Sequence, residues 1–309
     1  MEAILTLNQS KNSFVPRKII LADIAGVCFG VRRALKMAEE VRKERDGKIT
    51  TLGPIVHNEQ VISRMESQGI GTSANLEEIQ EGTVILSAHG VSPKILERAK
   101  SQQLQIVDVT CPFVTKVHRT AKKLYQEGYQ ILLIGDPDHT EVKGIIGTIE
   151  SIGGSVTLVS DVKEVPNLKL SKKVGIVSQT TQRNENYAEI VGAISKIADE
   201  VRAINTICGA TDELQDAAVK MAREVEVAIV IGGKKSANTR RLRDICEEQG
   251  IPAYHIETAD EIQEAWLEGK INIGITAGAS TPDWMIEDIA STINGGKLPE
   301  DWQLHHPDE

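Results

Sequence analysis

The sequence predicts an α/β protein with mostly parallel sheets, organised as three rough copies of one architectural unit around a shared cavity. Short apolar runs alternate with amphipathic helical patterns along the chain, which is typical of parallel α/β folds. The runs are apolar throughout, as expected for strands that are covered on both faces. Three of the four cysteines also occupy the same kind of position, between a β-prone run and a helical pattern.

Eight apolar runs, taken in order, predict the strands. They cover residues 19–24, 83–87, 106–109, 130–134, 155–159, 174–177, 227–231 and 271–276. Between them, apolar residues recur at helical spacing over residues 32–43, 93–101, 114–127 and 186–199. In parallel α/β units the loops that follow the strands gather at one edge, where ligands bind. We therefore expect the polar loops after these strands to face one cavity.

The three copies share an order of features but little sequence identity. Each begins near a cysteine, continues through a helix and reaches a strand that is followed by a polar motif. We assign residues 19–110 to lobe 1, residues 111–204 to lobe 2 and residues 205–294 to lobe 3. Residues 295–309 form a C-terminal tail, which either closes over the cavity or extends freely.

Cys28, Cys111 and Cys208 are the candidate metal ligands. Each stands where a strand-like run gives way to a helical pattern, so in three similar lobes the thiols would converge on one point. A single buried cysteine usually acts as a small hydrophobic residue, but three in one context favour a shared role. Cys246 lies inside a helical pattern, and we interpret it as structural.

Widely spaced thiolates favour an iron–sulfur cluster over zinc, because zinc sites usually show closely spaced pairs of ligands in the sequence. A cluster with three cysteine ligands keeps one iron open, and an open iron can act as a Lewis acid toward a substrate. The backbone N–H groups at the start of each following helix could hydrogen-bond the sulfur atoms and offset the negative charge of the cluster.

His57, His89 and His139 all follow strand-like runs, in loops that contain Gly, Ser, Thr or Asn. An imidazolium supplies a positive charge and a hydrogen-bond donor together, so these residues predict an anion site. Metal ligation is the competing interpretation, and we rank it lower because no two of the three histidines have close ligand spacing.

Two loops, 232–238 and 276–280, have the composition of a phosphate-binding site. Gly, Ser or Asn stand there between an apolar run and the start of a helix.

Glu141 is the candidate acid. It lies two residues after His139 and would reach the same cavity. Burial there would raise its pKa and allow it to donate a proton at neutral pH. Thr180, in the segment Gln179-Thr180-Thr181, could relay that proton or hold a substrate hydroxyl.

The composition excludes several classes of partner. The chain has 309 residues, a formal net charge of −9 and only 3% aromatic residues, so we expect no nucleic-acid surface. No apolar run approaches the ~20 residues needed to span a bilayer, so we expect no membrane association. Residues 1–18 contain no signal-like apolar core, and four cysteines without such a signal do not predict disulfides. The expected location is the cytoplasm.

Together, and in this order, the motifs resemble the IspH/LytB family of 4-hydroxy-3-methylbut-2-enyl diphosphate reductases. The similarity covers residues 19–288. It is carried by AGVCFGV (25–31), PIVHN (54–58), SAHGVS (87–92), DVTCP (108–112), QTT (179–181), TICGAT (206–211) and TAGAS (276–280). The resemblance implies a trefoil-like fold of three α/β lobes around a central cavity. It also implies the last step of the non-mevalonate (MEP) isoprenoid pathway, in which an allylic hydroxyl is removed reductively.

The resemblance implies roles for individual residues as well. Cys28, Cys111 and Cys208 would hold a [4Fe–4S] cluster with one iron not ligated by cysteine. Glu141 matches the proton-delivering acid of the family, and Thr180 matches its partner beside the substrate. The chain has no flavin or nicotinamide fingerprint, so the electrons are expected from an external ferredoxin or flavodoxin. The positions that match the site of the allylic diphosphate substrate are His57, His89, Ser236, Asn238 and Ser280, with His139 close by.

The sequence departs from the family pattern at three positions. Thr140 replaces a proline beside the proposed acid, Ala237 replaces a serine in the diphosphate loop, and Leu214 replaces an arginine after the third cysteine. None of these changes alters a proposed cluster ligand or Glu141. Two alternatives stay open at this point: a three-thiolate iron–sulfur enzyme of the quinolinate synthase type, and a non-enzymatic iron–sulfur sensor.

Overall fold

The structure is a computed structural model that describes residues 17–307. It begins with strand β1 (Lys18–Leu21) and helix α1 (Phe29–Glu44). The first complete sheet follows, with strands β2 (Ile49–Leu52), β3 (Ile70–Ser73), β4 (Thr83–Leu86) and β5 (Gln105–Asp108) and helices α2 (Glu59–Ser67) and α3 (Pro93–Ser101). The strand order is β3-β2-β4-β5, and all pairs are parallel.

The second sheet repeats this order. After helix α4 (Pro112–Gln126) come strands β6 (Gln130–Ile134), β7 (Val156–Val159), β8 (Lys173–Ser178) and β9 (Glu200–Ala203), with helices α5 (Thr140–Glu150) and α6 (Asn184–Ile194). The strands lie parallel in the order β7-β6-β8-β9. In both sheets, therefore, the second strand along the chain forms one edge and the fourth strand forms the other.

The third sheet has the same plan but takes its fourth strand from the start of the chain. Its elements are α7 (Gly209–Ala222), β10 (Val227–Ile231), α8 (Ala237–Glu248), β11 (Ala253–Ile256), the short α9 (Glu264–Leu267), β12 (Asn272–Ala277) and α10 (Asp283–Ile293). The parallel order is β11-β10-β12-β1. The α/β class and the three-lobed organisation expected from the sequence are confirmed.

Strand β1 corrects one of the lobe boundaries. We assigned residues 19–110 to lobe 1, but β1 pairs with β12 of the third sheet over its whole length. The reason is packing, because Ile19 and Leu21 contact the apolar cluster that covers one face of the third sheet. The segment assigned to lobe 2, residues 111–204, contains the whole of the second sheet.

Each sheet is buried on both faces. Strand β10 is an example: Val227, Ile229 and Ile231 belong to one apolar cluster, Ala228 and Val230 belong to the other, and all five are fully buried. Burying an aliphatic side chain of this size favours folding by about 1.5–3 kcal/mol. The uniformly apolar runs of the sequence are explained by this two-sided cover.

Four strands, β2, β3, β9 and β11, lie outside the apolar runs that predicted the others. Strands β3, β9 and β11 are edge strands and mix polar with apolar residues, as at the exposed Glu200 and Arg202 of β9. Strand β2 is central, but it contains the buried pair Thr50 and Thr51. The Thr51 side chain is satisfied by the hydroxyl of Thr72 in β3, at 3.1 Å.

The described part of the C-terminal tail, residues 295–307, packs against the third sheet. Trp302 and Leu304 contact its apolar cluster, and the carbonyl of His305 accepts a 2.9 Å hydrogen bond from the N–H of Ala25. Residues 308–309, like most of the segment 1–18 considered for a signal, lie outside the described residues. Within the part of the chain that is described, no helix has both the length and the apolar character needed to cross a bilayer.

Candidate active site

One central cavity brings together all the candidate ligand, acid and substrate-binding residues that the sequence predicted. Loops from all three sheets contribute to it, as expected where the carboxyl edges of parallel strands meet. The cavity offers about 100 Å³ to water-sized groups, which is room for several waters or a small ligand. The predicted residues that line it are Cys28, His57, His89, Cys111, His139, Glu141, Thr180, Cys208, Ser236, Asn238 and Ser280.

The three cysteines occupy equivalent positions in the fold. Cys28, Cys111 and Cys208 each follow an edge strand and directly precede α1, α4 and α7. Each cysteine N–H donates a hydrogen bond to the loop after the neighbouring strand, and this ties the thiol to a loop that also lines the cavity. The three acceptors are the carbonyl oxygens of Ala279, Ala88 and Thr180, at 3.1, 3.0 and 2.9 Å respectively.

The electrostatics of the thiols indicate that they lie close together. Burial raises the pKa of Cys111, and it raises the pKa of Cys208 to about 12 with a further contribution from Cys28 and Cys111. The backbone N–H groups of Phe113 and Val114 act in the opposite direction on Cys111. Without a cation these thiols favour the protonated form, whereas a bound metal would stabilise them as thiolates.

Gly30 leaves room for two of the sulfur atoms. A Cβ at this position would lie 2.5 Å from Sγ of Cys111 and 3.9 Å from Sγ of Cys28. Any side chain at position 30 would therefore displace the Cys111 sulfur. The shared position of the three thiols, the amides around them and the space kept by Gly30 fit a metal cluster bound by three thiolates.

Three histidine rings meet beside the cysteines. The rings of His57 and His89 stack with their centroids 4.2 Å apart, and His139 stands edge-on to them at 5.2 and 5.5 Å. One ring nitrogen of each lies within 4.8 Å of the others. The three histidines are far apart in the sequence, so their spacing did not predict this contact between the rings. The same spacing was the reason for ranking a shared metal site lower. The distances alone suit either an anion or a metal ion.

The charges around the histidines favour an anion. Burial lowers the pKa of His57, lowers that of His139 to about 4, and holds that of His89 well below its usual range. The rings are therefore neutral at pH 7 when nothing is bound. The positive charges of Arg240 and Lys235 also lower the pKa of His57, which means that both charges act at the histidine cluster. A cation would be repelled by them, whereas an anion would be attracted.

Buried polar atoms without a protein partner point into the same region. Among the described residues, Nε2 of His57 and of His89, both side-chain polar atoms of Asn238 and the hydroxyl of Ser280 have no hydrogen-bond partner. Buried polar groups are normally satisfied, so this convergence indicates a ligand with several acceptor oxygens. Ser236 stands at the N-terminus of α8, where its hydroxyl accepts a 3.2 Å hydrogen bond from the N–H of Thr239.

Glu141 is fully buried and held by Thr180. Its Oε1 accepts a 2.8 Å hydrogen bond from the Thr180 N–H, and its Oε2 accepts a 2.7 Å bond from the Thr180 hydroxyl. Burial raises the pKa of Glu141 to about 7, although both bonds from Thr180 lower it. His139 fixes the start of α5, since its Nδ1 accepts the N–H of Glu141 at 3.2 Å. A carboxyl with this pKa is suited to donate a proton at neutral pH.

Two contacts between lobes position the site. Besides Ser280 they involve Asn58, Asp136 and Arg241, for which the sequence predicted no role in the site. Asn58 caps α2 and donates a 2.9 Å hydrogen bond from Nδ2 to the carbonyl of Ser280. Nη2 of Arg241 in α8 bonds both carboxylate oxygens of Asp136, at 3.0 and 3.3 Å. Asn58 directly follows His57 in the segment PIVHN, and this position was the one sequence feature that could have indicated a role for Asn58 in the site. No local pattern connects Asp136 with Arg241.

The three departures and the fourth cysteine have clear places in the fold. Thr140 is the first residue of α5, where a helix needs no bond from its N–H, so the helix starts normally without a proline. Ala237 is buried at the start of α8 and lines the cavity. Leu214 and Cys246 are fully buried in one apolar cluster of the third lobe, and neither lines the cavity.

Comparisons of sequence and structure agree on one set of relatives. A family model described as LytB protein matches residues 19–294. The 4-hydroxy-3-methylbut-2-enyl diphosphate reductase of Aquifex aeolicus is 46% identical over 276 residues, which are 89% of this chain and 95% of the relative. The enzyme of the same name from Geobacter sulfurreducens is also 46% identical, over 89% of this chain and 96% of its own.

Solved structures give the same result. A structure described as (E)-4-hydroxy-3-methyl-but-2-enyl diphosphate reductase, the terminal enzyme of the non-mevalonate pathway, is 45% identical and has a TM-score of 0.67. It is matched over 90% of this chain and 99% of that one. The reductase from Plasmodium falciparum is 28% identical, with a TM-score of 0.86 over 94% and 96% of the two chains.

Proposed function

The chain belongs to the LytB family of 4-hydroxy-3-methylbut-2-enyl diphosphate reductases, and from that membership we propose that it reduces this allylic diphosphate to isopentenyl and dimethylallyl diphosphate. The reaction is the last step of the non-mevalonate pathway. The substrate takes up two electrons and two protons; its C4–O bond breaks, a C–H bond forms and the hydroxyl leaves as water. The meeting of three cysteines, three histidines and a buried acid in one cavity supports the proposal most directly.

Cys28, Cys111 and Cys208 would hold a [4Fe–4S] cluster in which one iron has no cysteine ligand. When bound, such a cluster supplies a Lewis-acidic iron for the substrate hydroxyl and passes on electrons one at a time. Amides at the starts of α4 and α7, from Phe113 and Ala210 among others, donate toward the sulfur atoms. They would offset part of the negative charge of the cluster.

The diphosphate would bind at the histidines of the same cavity. The neutral imidazoles gain protons when a polyanion approaches, because an opposite charge raises their pKa. Nδ2 of Asn238 and the hydroxyl of Ser280, which have no protein partner, would then donate to phosphate oxygens. Anchoring the diphosphate holds the hydrocarbon end in one position for reaction. The proposed binding residues are His57, His89, His139, Thr180, Ser236, Asn238 and Ser280.

Glu141 would protonate the departing oxygen, because hydroxide is a poor leaving group and water is a good one. Its raised pKa keeps a large share of the carboxyl protonated at neutral pH. Thr180 aligns both carboxylate oxygens and can turn its hydroxyl toward that of the substrate. Both residues therefore act at the C4 end of the substrate.

The electrons would come from an external ferredoxin or flavodoxin, since the chain contains no fingerprint for a flavin or a nicotinamide. The family membership does not support the alternative, an enzyme of the quinolinate synthase type. Such an enzyme would bind a dicarboxylate. Thermal stabilisation of the anaerobic protein by a prenyl diphosphate, but not by a dicarboxylate, is the expected result.

Anaerobic turnover tests the function. Cluster-loaded protein with dithionite-reduced methyl viologen should convert the hydroxymethylbutenyl diphosphate to five-carbon diphosphates. Glu141→Gln should keep the cluster spectrum and lose at least about 100-fold in kcat, the usual range for loss of a general acid. Wild-type protein with an intact cluster and no turnover would leave only the sensor alternative. Near-normal turnover by E141Q would remove Glu141 from the mechanism.

A further inference from the structure

We propose that the exposed residues of the first two turns of α1 and of α4 form the docking face for an acidic one-electron carrier protein. We define this basic face by Phe29, Arg32 and Lys36 of α1 and by Lys116 and Arg119 of α4. The inference rests on the proposed function, because it identifies the surface through which that reaction receives its electrons.

The two helices begin side by side. Each starts directly after a cysteine of the cavity, and the Cα of Gly30 in α1 faces the sulfur of Cys111 before α4. Arg33 bridges the two starts, since its Nη1 donates a 3.3 Å hydrogen bond to the carbonyl of Thr110. The first turns of α1 and α4 therefore belong to one continuous surface around two of the three thiols.

This surface is the part of the site nearest to solvent. Cys28 and Cys111 are partly exposed, whereas Cys208 is buried. Phe29, the residue after Cys28, is 47% exposed, which is unusual for a phenylalanine and places an aromatic ring on the surface beside a thiol. Pro112, the residue after Cys111, is also exposed. A carrier seated here would approach the cysteines more closely than one bound beside Cys208.

The charge of the face is opposite to that of the whole chain. From Phe29 to Lys36, α1 contains three basic residues and no acidic one, and all of α4 contains four basic residues and no acidic one. Helix α7, which follows the buried Cys208, instead carries Asp212, Glu213 and Asp216. Over its whole length α1 has five basic and three acidic residues, and Glu40 lies 3.9 Å from Nζ of Lys36. The first half of α1 and all of α4 are thus basic in a chain of net charge −9.

The exposed positions place the basic residues in stripes. Phe29, Arg32 and Lys36 follow each other at three- and four-residue steps in α1, and all three are exposed. Lys116 and Arg119 form a similar exposed step in α4. The acidic residue nearest in the chain to the start of α4 is Asp108, whose Oδ1 is already bound by the N–H and hydroxyl of Thr110.

A partner of matching chemistry is small, acidic and able to carry one electron, as a ferredoxin is. Two acidic proteins repel each other over most of their surfaces, so a local basic face directs the encounter. Redox encounters use small, transient interfaces, and the five residues of the basic face are of that scale. The affinity of such a complex falls as ionic strength rises.

The test compares two electron donors in one assay. Cluster-loaded wild-type protein, the face variant K116E/R119E and the control K196E/K220E receive electrons either from reduced ferredoxin or from reduced methyl viologen. Both control lysines are exposed and lie just past α6 and near the end of α7, remote from the cysteines, and the change in net charge is identical. Binding of oxidised ferredoxin is measured calorimetrically at low and high ionic strength, which requires no turnover.

In the face variant we expect the KM for ferredoxin to rise about tenfold or more, with ferredoxin binding weakened and its salt dependence reduced. Turnover with methyl viologen should stay within about twofold of wild type, and the control should behave as wild type with both donors. An unchanged KM and unchanged binding in K116E/R119E would overturn the docking face. Absence of viologen-driven turnover in the wild type would instead overturn the proposed function, while the binding measurement would still test the face.

Discussion

Thr180 holds both oxygens of the buried Glu141 carboxylate, with its N–H 2.8 Å from Oε1 and its hydroxyl 2.7 Å from Oε2. The carbonyl of the same threonine accepts the N–H of Cys208 at 2.9 Å. A single residue thus fixes the candidate acid relative to one of the thiols. Opposing effects set the pKa of Glu141, because burial raises it and the two bonds from Thr180 lower it.

Removing the Thr180 hydroxyl should move the pH profile. A general acid acts in its protonated form, so with Glu141 in the proposed role we expect kcat/KM to be highest below the pKa of Glu141 and to fall as pH rises through about 7. Thr180→Val deletes a bond that lowers this pKa, and we expect the alkaline limb to shift upward by about one unit. The measurement is kcat/KM against pH with reduced methyl viologen.

The neighbouring threonine provides the control for this experiment. The Thr181 hydroxyl also belongs to the cavity loop, but it accepts a bond from Gln179 and does not contact Glu141. Thr181→Val should therefore leave the alkaline limb where it is in the wild type. If T180V and T181V gave the same limb as wild type, the threonine would not govern the ionisation of Glu141.

Filling the space at Gly30 should prevent cluster assembly. In Gly30→Ala the new methyl group would lie 2.5 Å from the Cys111 sulfur, so the sulfur must move out of position. We expect the iron and sulfide content per chain, after anaerobic reconstitution, to fall by half or more. Circular dichroism should remain that of a folded α/β protein, because Gly30 is in the first turn of a helix, where alanine is favoured.

Gly209 is the matched control for Gly30. It also lies in the first turn after a cysteine, at the start of α7, but a Cβ there would meet no other atom within 4 Å. Gly209→Ala should bind iron and sulfide as the wild type does. Equal cluster content in G30A and G209A would mean that the space at Gly30 is not needed by the thiols.

Binding of a diphosphate should be accompanied by proton uptake. The histidines of the cavity are neutral when nothing is bound, and the pKa of His139 is about 4. A bound polyanion raises these pKa values, so protons are taken up and affinity falls as pH rises. Calorimetry with isopentenyl diphosphate at about pH 6, in buffers of different ionisation enthalpy, measures the number of protons taken up, because a nearby opposite charge shifts a pKa by about 1–3 units.

Two variants isolate the contribution of the histidines. The titration is carried out in E141Q, because Glu141 would take up protons in the same direction. There, His139→Asn should reduce the uptake. His118→Asn should not, although burial also lowers the pKa of His118 to about 4, because His118 does not line the cavity. Equal uptake in both variants would exclude His139 from the anion site.

The features that the sequence predicted best are those set by local patterns. Apolar runs marked the buried strands, and the junctions after them marked Cys28, Cys111 and Cys208, because parallel sheets place such loops at one edge. Edge strands such as β9 were not predicted, because a half-exposed strand does not need a run of apolar residues. The pairing of β1 with β12 joins residues about 254 positions apart, and only packing of the complete chain determines it.

The charges within the site were also beyond the reach of the sequence. An imidazolium was expected at each histidine, but the burial that keeps His57 and His89 neutral depends on residues from all three lobes. The contact between the rings of His57, His89 and His139 has the same origin, since no fixed spacing along the chain produces it. Such properties belong to the assembled cavity.

The ion pair of Asp136 and Arg241 should hold the second and third lobes together at the cavity. Asp136 lies in the loop after β6, three residues before His139, while Arg241 lies in α8 one turn after Asn238. Arg241→Gln removes an ion pair in which one guanidinium nitrogen bonds both carboxylate oxygens and which is mostly shielded from solvent. We expect a loss of about 1–2 kcal/mol in substrate affinity, seen as a rise in KM. The kcat at saturating substrate should change less.

Arg243 is the control for Arg241, because Arg243 pairs with Asp244 on the same helix and its side chain is more exposed. Arg243→Gln should leave KM unchanged. The unpaired Asp136 in R241Q should also raise the pKa of Glu141, since its negative charge already acts in that direction. The alkaline limb of kcat/KM would then shift upward in R241Q and return in D136N/R241Q. A rise in KM without this shift would indicate a structural role for the pair that does not extend to the acid.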